Sequence, residues 1–259
     1  MTDGRALADG ERIPAFANDW ALFLDVDGTL LDIALYPNAV AVSPSLYDVL
    51  QGAFRLSGGA VALISGRSLS DLDRLFGPMR FPAAGQHGLE RRDSNGNVVR
   101  SIGAMERINS AAQTLVSQAR MRQGIVVEHK GLSLALHYRN APDMCEWAHI
   151  TMQVLLGALG PGFQLVEGKM VFELKPGGRD KGTAIADFMS ETPFAGRLPV
   201  FIGDDVTDED GFTVVNIAGG HSIKVGPGKS IARWHLRDAH SVRCWLQAYL
   251  DFLETGATA

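Results

Sequence analysis

The sequence predicts an α/β protein in which a parallel sheet, covered by helices on both faces, carries an inserted α+β module. In two stretches of the chain, residues 19–103 and 177–255, apolar strand-like runs alternate with helix-like runs. Runs that are apolar throughout are typical of parallel strands buried on both faces. Between residues 104 and 176 the strand-like runs instead alternate polar and apolar residues. That alternation indicates an antiparallel sheet with one open face.

The first α/β stretch begins with an apolar run over residues 21–24, which predicts a buried strand. Ser43 is a cap residue before Pro44, which favours the first helical position, and Gly58-Gly59 ends the same helix. The predicted elements are, in order, a strand over residues 21–24, a helix over 44–56, a strand over 60–64, a helix over 70–76 and a strand over 82–85.

The middle stretch predicts two similar halves, each with one helix and two strands. Side chains on the polar faces of these strands are most often solvated charges on the open face of the sheet. The charged or polar residues concerned are Glu128, Lys130, His137, Arg139, Lys169 and Glu173. The predicted elements are helices over residues 105–120 and 142–159 and strands over 126–130, 132–139, 164–166 and 170–175.

The second α/β stretch repeats the pattern of the first. Its buried strand over residues 198–202 ends in Gly203-Asp204-Asp205. The predicted elements are a helix over residues 181–189, the strand over 198–202, a helix over 211–217, a strand over 221–225 and a helix over 242–253.

The overall charge and composition disfavour several classes of protein and partner. A net charge of −5 and an isoelectric point of about 5.8 argue against a nucleic-acid partner, which requires a basic face. Cys145 and Cys244 have no metal-ligand spacing. No run approaches the ~18 apolar residues of a membrane span, and the N-terminal residues lack the apolar core of a signal peptide. We therefore predict a cytoplasmic protein without a membrane partner, and we also predict a monomer.

Two carboxylates directly follow the first predicted strand. Asp25 and Asp27 are separated by Val26, so strand alternation points both side chains the same way. Unpaired carboxylates repel each other, and burial makes the repulsion worse. A divalent cation takes oxygen ligands, removes the repulsion and keeps one carboxylate ionised as a nucleophile. The alternative is a turn with two solvated acids after an edge strand.

Further polar residues follow other predicted strands. Ser65 follows the second strand, Asp204 and Asp208 follow the strand over residues 198–202, and Lys181 begins a helix. The carboxyl ends of parallel strands meet at one edge of a sheet, where open α/β proteins bind their ligands. Carboxylates for a metal, donors for a phosphate and a lysine form the set that phosphoryl transfer needs.

This set of residues resembles the motifs of the haloacid-dehalogenase superfamily of phosphotransferases. Asp25-Val26-Asp27-Gly28-Thr29-Leu30 matches the first motif, Ser65 the second, Lys181 the third and Gly203-Asp204-Asp205 the fourth. The resemblance implies a Rossmann-like phosphatase core of residues 19–103 and 177–255, an inserted α+β cap of residues 104–176, and Mg²⁺ as the cofactor. It implies that Asp25 attacks phosphorus and that Asp27 acts as general acid and base. It also implies that the metal is held by Asp25, Asp204 and the carbonyl of Asp27, with Asp205 and Asp208 orienting its ligands or waters. The phosphate would be bound by Thr29, Ser65 and Lys181.

Within that superfamily the chain is similar to the trehalose-6-phosphate phosphatases. The similarity is carried by Val127-Glu128-His129-Lys130-Gly131, Leu136-His137-Tyr138-Arg139, residues 168–176, Lys181-Gly182, residues 203–209 and Gly85-Gln86-His87-Gly88-Leu89-Glu90. It implies hydrolysis of trehalose 6-phosphate in trehalose biosynthesis, with a cap that contacts the sugar through Glu128, Lys130, His137, Arg139, Lys169 and Glu173.

Two other functions stay open at this point. One is another sugar phosphatase of the same superfamily, acting for example on sucrose phosphate or mannosyl-phosphoglycerate. The other is a catalytically silent sugar-phosphate sensor. We further expect hinges near Gly103 and at Pro176-Gly177-Gly178, a salt bridge from Arg67 to Asp71 or Asp73, and a structural role for His87 in a loop near the site.

Overall fold

The computed structural model describes residues 4–6, 12–33, 40–100 and 105–256. The chain forms two compact units, one of Met1–Val98 with Lys181–Ala259 and the other of Val99–Asp180. The strands are β1 Gly4–Ala6, β2 Arg12–Pro14, β3 Trp20–Leu24, β4 Val61–Ile64, β5 Ala83–Gly85, β6 Glu90–Arg92, β7 Val98–Arg100, β8 Val126–His129, β9 Leu134–His137, β10 Phe163–Gly168, β11 Val171–Pro176, β12 Leu198–Gly203, β13 His221–Val225 and β14 Trp234–Leu236. The helices are α1 Pro44–Leu56, α2 Leu69–Phe76, α3 Met105–Ala119, α4 Cys145–Leu159, α5 Lys181–Met189, α6 Glu209–Ile217 and α7 Ala239–Thr255.

The larger sheet has its strands in the order β14-β13-β12-β3-β4-β5-β6-β7, and those from β14 to β6 belong to the first unit. From β14 to β5 neighbouring strands are parallel, and β6 pairs antiparallel with β5. In the centre, Leu24 of β3 pairs with Ile202 of β12 and with Leu63 of β4. The carboxyl ends of these three strands are therefore side by side, and the residues that follow them meet at one edge of the sheet.

Both faces of this sheet are buried, as the apolar runs predict. Leu22 on one face belongs to a cluster with Leu50 of α1 and Trp245 of α7. Phe23 on the other face belongs to a cluster with Phe188 of α5. Because β3 alternates between two apolar layers, it tolerates a polar side chain only where it ends.

The second unit pairs a four-stranded antiparallel sheet with two helices. Its strands lie in the order β10-β11-β9-β8. Leu136 and Phe172 on one face pack with Leu115 of α3 and Met152 of α4. The register places Glu128, Ala135 and Glu173 side by side on the opposite face. The predicted alternation of buried and polar positions is thus present.

One strand prediction in this unit is wrong at its start. Lys169, expected on a strand beside Glu173, lies with Met170 in the turn that joins β10 to β11, where Gly168 pairs with Val171. Met170 has a positive φ of 63°, which an extended strand excludes. Lys169 is therefore at a hairpin tip, and its position is set by the turn.

Other departures are confined to short or terminal elements. The strands β1, β2, β6, β7 and β14 are not predicted. Helix α7 begins at Ala239 because the Asp238 side chain accepts a hydrogen bond from the Ser241 N–H. The expected hinge at Gly103 lies outside the described residues. Within the described part of the chain, every helix falls short of the length and apolarity that crossing a bilayer requires. Cys145 and Cys244 are free and exposed, one in each unit.

Candidate active site

The turn after β3 brings the first acidic motif against the loop after β12. The Asp25 N–H donates to the Ile202 carbonyl at 3.0 Å, and the chain then folds back, with the N–H groups of Leu30 and Leu31 both donating to the Val26 carbonyl. Gly28 has a φ of +86°, and a Cβ atom there would lie 2.3 Å from Oδ2 of Asp204. Only glycine fits this position, because it accepts the left-handed backbone and leaves room for the carboxylate.

Three buried carboxylates form a cluster at this edge of the sheet. Asp25, Asp204 and Asp208 each offer an oxygen atom, and these atoms all lie within 4.8 Å of one another. The hydroxyl of Thr29, at the same turn, is buried and has no hydrogen-bond partner among the described residues. A buried set of hard oxygen atoms beside an unsatisfied hydroxyl fits a divalent cation with a phosphate next to it.

Lys181, the first residue of α5, links two of these carboxylates. Its Nζ atom donates to Oδ1 of Asp25 at 2.7 Å and to Oδ1 of Asp208 at 2.6 Å, and its side chain is buried. Burial by itself would lower the pKa of Lys181, but the carboxylates of Asp208 and Asp25 raise the pKa above its ordinary value. The lysine therefore stays cationic.

The same surroundings also raise the pKa of Asp25, but for a carboxyl group a raised pKa favours the neutral form. Burial raises the pKa of the Asp25 carboxyl well above its ordinary value, and the charges of Asp208 and Asp204 add to this effect. Lys181 opposes the shift but does not cancel it. An added cation at the cluster would favour the ionised form, so the site is suited to a metal on electrostatic grounds.

Asp27 pairs with an arginine that was expected to bind elsewhere. Nε of Arg67 donates to Oδ2 of Asp27, and Nη2 donates to Oδ1, each at 2.6 Å. The expectation of a pair with Asp71 or Asp73 is wrong. Those two carboxylates are bound by Arg74 and Arg92 instead. The arginine thus joins the loop after β4 to the first acidic motif.

Ser65 directly follows β4 and is buried at the same edge of the sheet. Its N–H donates to the Ala84 carbonyl, and its hydroxyl accepts from the Arg67 N–H at 3.1 Å. A Cβ atom at Gly66 would lie 2.8 Å from Nε2 of His87, so the histidine ring packs on this loop. His87 therefore lies at the serine loop, where the sequence predicted a structural residue.

The loop after β12 fixes Asp205 and Asp208 against each other. The Asp205 N–H donates to Oδ2 of Asp208 at 2.8 Å, and the Asp205 side chain accepts from the Asp208 N–H in a reciprocal cap. Because Oδ1 of Asp208 is bound by Lys181, both of its oxygens have protein donors. This pattern suits a residue that orients its neighbours.

The sequence that forms these loops matches a known family. A model described as trehalose-phosphatase matches residues 23–244. The chain belongs to the trehalose-phosphatase family. Membership confirms the predicted class of enzyme, a phosphoric monoester hydrolase.

Individual relatives agree with this membership. The trehalose-6-phosphate phosphatase of Escherichia coli (strain K12) is 46% identical over 244 residues, which cover 93% of this chain and 90% of that protein. The C-terminal domain of the Candida albicans trehalose-6-phosphate phosphatase has a TM-score of 0.78 at 22% identity, covering 96% of this chain and 99% of that chain. A phosphatase of the haloalkanoate (HAD) superfamily from Bacteroides thetaiotaomicron has a TM-score of 0.59 at 16% identity, covering 93% of this chain and 98% of that chain. These two structures show the fold alone, and they confirm the predicted fold class.

The residues expected to contact a sugar all lie in the second unit, and four of them form two bonded pairs. Nζ of Lys130 donates to Oε2 of Glu173 at 3.0 Å, and the Ser133 hydroxyl donates to Oε1 at 2.6 Å. Lys130 and Glu173 are almost fully buried, so the alternative of solvated surface charges is wrong for both.

A second pair on the same face joins Glu128 and His137 at 2.8 Å. Burial would raise the pKa of the Glu128 carboxyl, but the hydrogen bond from His137 and the charge of Lys130 lower it overall. Arg139 donates to the Lys169 carbonyl at 2.8 Å, so it braces the hairpin tip.

The sequence did not point to one cationic side chain at the site, that of Lys224, and it suggested the wrong partner for another, that of Arg67. Nζ of Lys224, near the end of β13, donates to the Asp204 carbonyl at 2.7 Å and so fixes the backbone of that acid. A lysine within an otherwise buried strand is the signal that could have identified it. Arg67 offered no comparable signal, because its partner is 40 residues away in the sequence.

Proposed function

We propose that this chain hydrolyses trehalose 6-phosphate to trehalose and phosphate through an aspartyl phosphate on Asp25. The observation that carries the proposal is the position of Asp25, which is buried at the end of β3 and within reach of Asp204, Asp208 and Lys181. A carboxylate held there between cationic and acidic groups suits an in-line attack on phosphorus.

The reaction divides into two displacements. A carboxylate oxygen of Asp25 bonds to phosphorus, the bond from phosphorus to the sugar oxygen breaks, and Asp27 gives that oxygen a proton. A water molecule then attacks phosphorus, Asp27 takes its proton, and the bond to Asp25 breaks to release phosphate. Lys181, Ser65 and Thr29 bind the phosphoryl oxygens in both steps, and the unsatisfied Thr29 hydroxyl supports this role.

Mg²⁺ is the cofactor that we propose for the carboxylate cluster. Asp25, Asp204 and the backbone carbonyl of Asp27 would hold it, while Asp205 and Asp208 orient these groups. When bound, the ion would keep Asp25 ionised and offset the negative charge of the phosphoryl group.

We further propose that the second unit is a cap of residues 104–176 that recognises the sugar. The polar face with Glu128, Lys130, His137 and Glu173 offers ammonium and imidazole groups next to carboxylates. Sugar hydroxyls both donate and accept hydrogen bonds, so adjacent groups of both kinds suit a disaccharide. Lys169 is exposed at the hairpin tip, and Arg139 donates a hydrogen bond to its backbone carbonyl. The monomeric state and the cytoplasmic location stay predictions from the sequence.

Phosphate release from trehalose 6-phosphate tests the proposal. We expect Mg²⁺-dependent release by the wild-type chain and its loss, by at least about 10⁴-fold, in Asp25→Asn. Lys229→Met, a change at an exposed lysine of the first unit, is the control and should leave the rate unchanged. Sucrose phosphate and mannosyl-phosphoglycerate are compared at the same Mg²⁺ concentration. A higher kcat/KM on either would favour another sugar phosphatase, and no release from any ester would favour a silent sensor.

A further inference from the structure

One guanidinium group holds both carboxylate oxygens of Asp27. The contacts from Nε and Nη2 of Arg67 are each 2.6 Å long, which is the geometry of a bidentate pair. Among the residues that the structure describes, Arg67 is the sole hydrogen-bond partner of the Asp27 side chain. A two-point contact fixes the rotation of the carboxylate as well as its position.

The pair is buried on one side and open on the other. The side chain of Arg67 is 10% exposed and that of Asp27 is 38% exposed. The arginine side chain is therefore held within the protein. The aspartate side chain is partly open to solvent, so a leaving group can approach it.

The backbone of Arg67 is anchored from two directions. Its N–H donates to the Ser65 hydroxyl at 3.1 Å, and its carbonyl accepts from the Gln86 N–H at 2.8 Å. Gln86 and His87 have φ values of 49° and 55°, a left-handed conformation that costs free energy in residues with a side chain. A Cβ atom at Gly85 would lie 2.8 Å from the Arg67 carbonyl, so this loop lies tightly against the arginine. Strain of this kind is kept where the surrounding structure holds a functional group in place.

We propose that Arg67 is a positioning residue that places the Asp27 carboxyl group for proton transfer to the leaving sugar oxygen. The inference rests on the proposed chemistry, in which Asp27 serves the leaving group. Its consequence is specific to the leaving group. An alkoxide is strongly basic and needs a proton as it departs, whereas a nitrophenolate is weakly basic and departs without one.

The test compares two esters in Arg67→Gln. We expect kcat/KM to fall about 100-fold for trehalose 6-phosphate and by less than about threefold for 4-nitrophenyl phosphate. This parameter reports the steps up to departure of the leaving group, so the later role of Asp27 with water does not enter. Arg67→Lys keeps the charge but loses the two-point contact, so its effect should lie between those of the wild type and Arg67→Gln. If Arg67→Gln does not fold, Arg67→Lys provides the same comparison.

Two further variants separate positioning from folding. Arg92 is a matched control, because its buried side chain forms an ion pair at 2.7 Å with Asp73, which is 27% exposed, in the same unit. Arg92→Gln should lower stability and leave the ratio of the two kcat/KM values unchanged. In an Asp27→Asn background, Arg67→Gln should have little further effect on trehalose 6-phosphate, because the group that it positions is already altered.

Equal losses on the two esters, or no loss on trehalose 6-phosphate, would overturn the positioning role. An additive loss in the double variant would do the same. The proposed function is tested separately by the wild-type rate on trehalose 6-phosphate. If that rate is absent, the same ratio is measured with whichever sugar phosphate the wild-type chain accepts.

Discussion

Asp25 is a buried carboxyl group that shares its surroundings with Asp204 and Asp208. In the folded chain without a metal its pKa is raised above the ordinary value of 3.8, chiefly by burial. Between pH 3.8 and the raised pKa, the folded chain therefore holds a proton that the unfolded chain has released. The stability that this group contributes is fully present below pH 3.8 and is lost as the pH rises through the raised pKa.

Magnesium binding should consequently depend on pH. A cation binds the ionised carboxylate, so at low pH it must displace the proton from Asp25. We expect the increase in Tm that Mg²⁺ produces to be small near about pH 4 and to grow towards about pH 8. Thermal unfolding with and without Mg²⁺ across this range measures the effect. Asp25→Asn should weaken the pH dependence, and an increase in Tm that is constant across the range would contradict the argument.

At the scale of a single element, the turn after β3 depends on the absence of a side chain at Gly28. The loops after β3 and β12 approach so closely that a Cβ atom would lie 2.3 Å from Asp204. Gly96 is a matched position, because its φ of +85° is nearly the same as the +86° of Gly28, while its surroundings are open. An alanine at either position adopts a left-handed backbone at a cost of about 1–2 kcal/mol.

Alanine at these two glycines should therefore affect catalysis very differently. We expect Gly28→Ala to lower kcat/KM for trehalose 6-phosphate by at least about 100-fold, because Asp204 must move. Gly96→Ala should lower the free energy of unfolding by the same backbone cost of about 1–2 kcal/mol, but it should change kcat/KM by less than about twofold. Rates on trehalose 6-phosphate, together with unfolding in urea, measure both effects. Comparable rates in the two variants would show that the contact with Asp204 does not matter.

For the molecule as a whole, we propose that the first unit carries the chemistry and the second unit carries the specificity. Lys169 lies at an exposed hairpin tip of the second unit. We expect Lys169→Ala to lower kcat/KM about tenfold for trehalose 6-phosphate, through a higher KM or a lower kcat, and to leave 4-nitrophenyl phosphate almost unaffected. Lys229→Ala, at an exposed lysine of the first unit, is the control. Equal losses on both esters in Lys169→Ala would refute this division.

The parts of the fold that sequence reasoning found share one physical property. The strands β3, β4 and β12 are buried on both faces, so their residues are apolar throughout and their ends are marked by acids or a serine. The missed strands are short, and β6 has the sequence Glu-Arg-Arg. Such short strands are defined by backbone hydrogen bonds to their neighbours, which leave little trace in the pattern of side chains.

The same distinction holds for the site. The meeting of Asp25, Asp204 and Lys181 follows from the topology of a parallel sheet and was predictable. The partner of Arg67 was not, because Asp71 and Asp73 lie nearby in the sequence while Asp27 lies nearby in space. The turn at Lys169 and Met170 was also missed, since methionine is an uncommon residue at positive φ.

The placement of the two cysteines allows distances within the chain to be measured with dyes attached to native residues. Cys145 and Cys244 are both exposed, and each unit has one. Maleimide dyes on these native thiols would form a donor–acceptor pair without any engineered change. Energy transfer between them would then report, in single molecules, whether the distance between the two thiols changes when sugar phosphate is added.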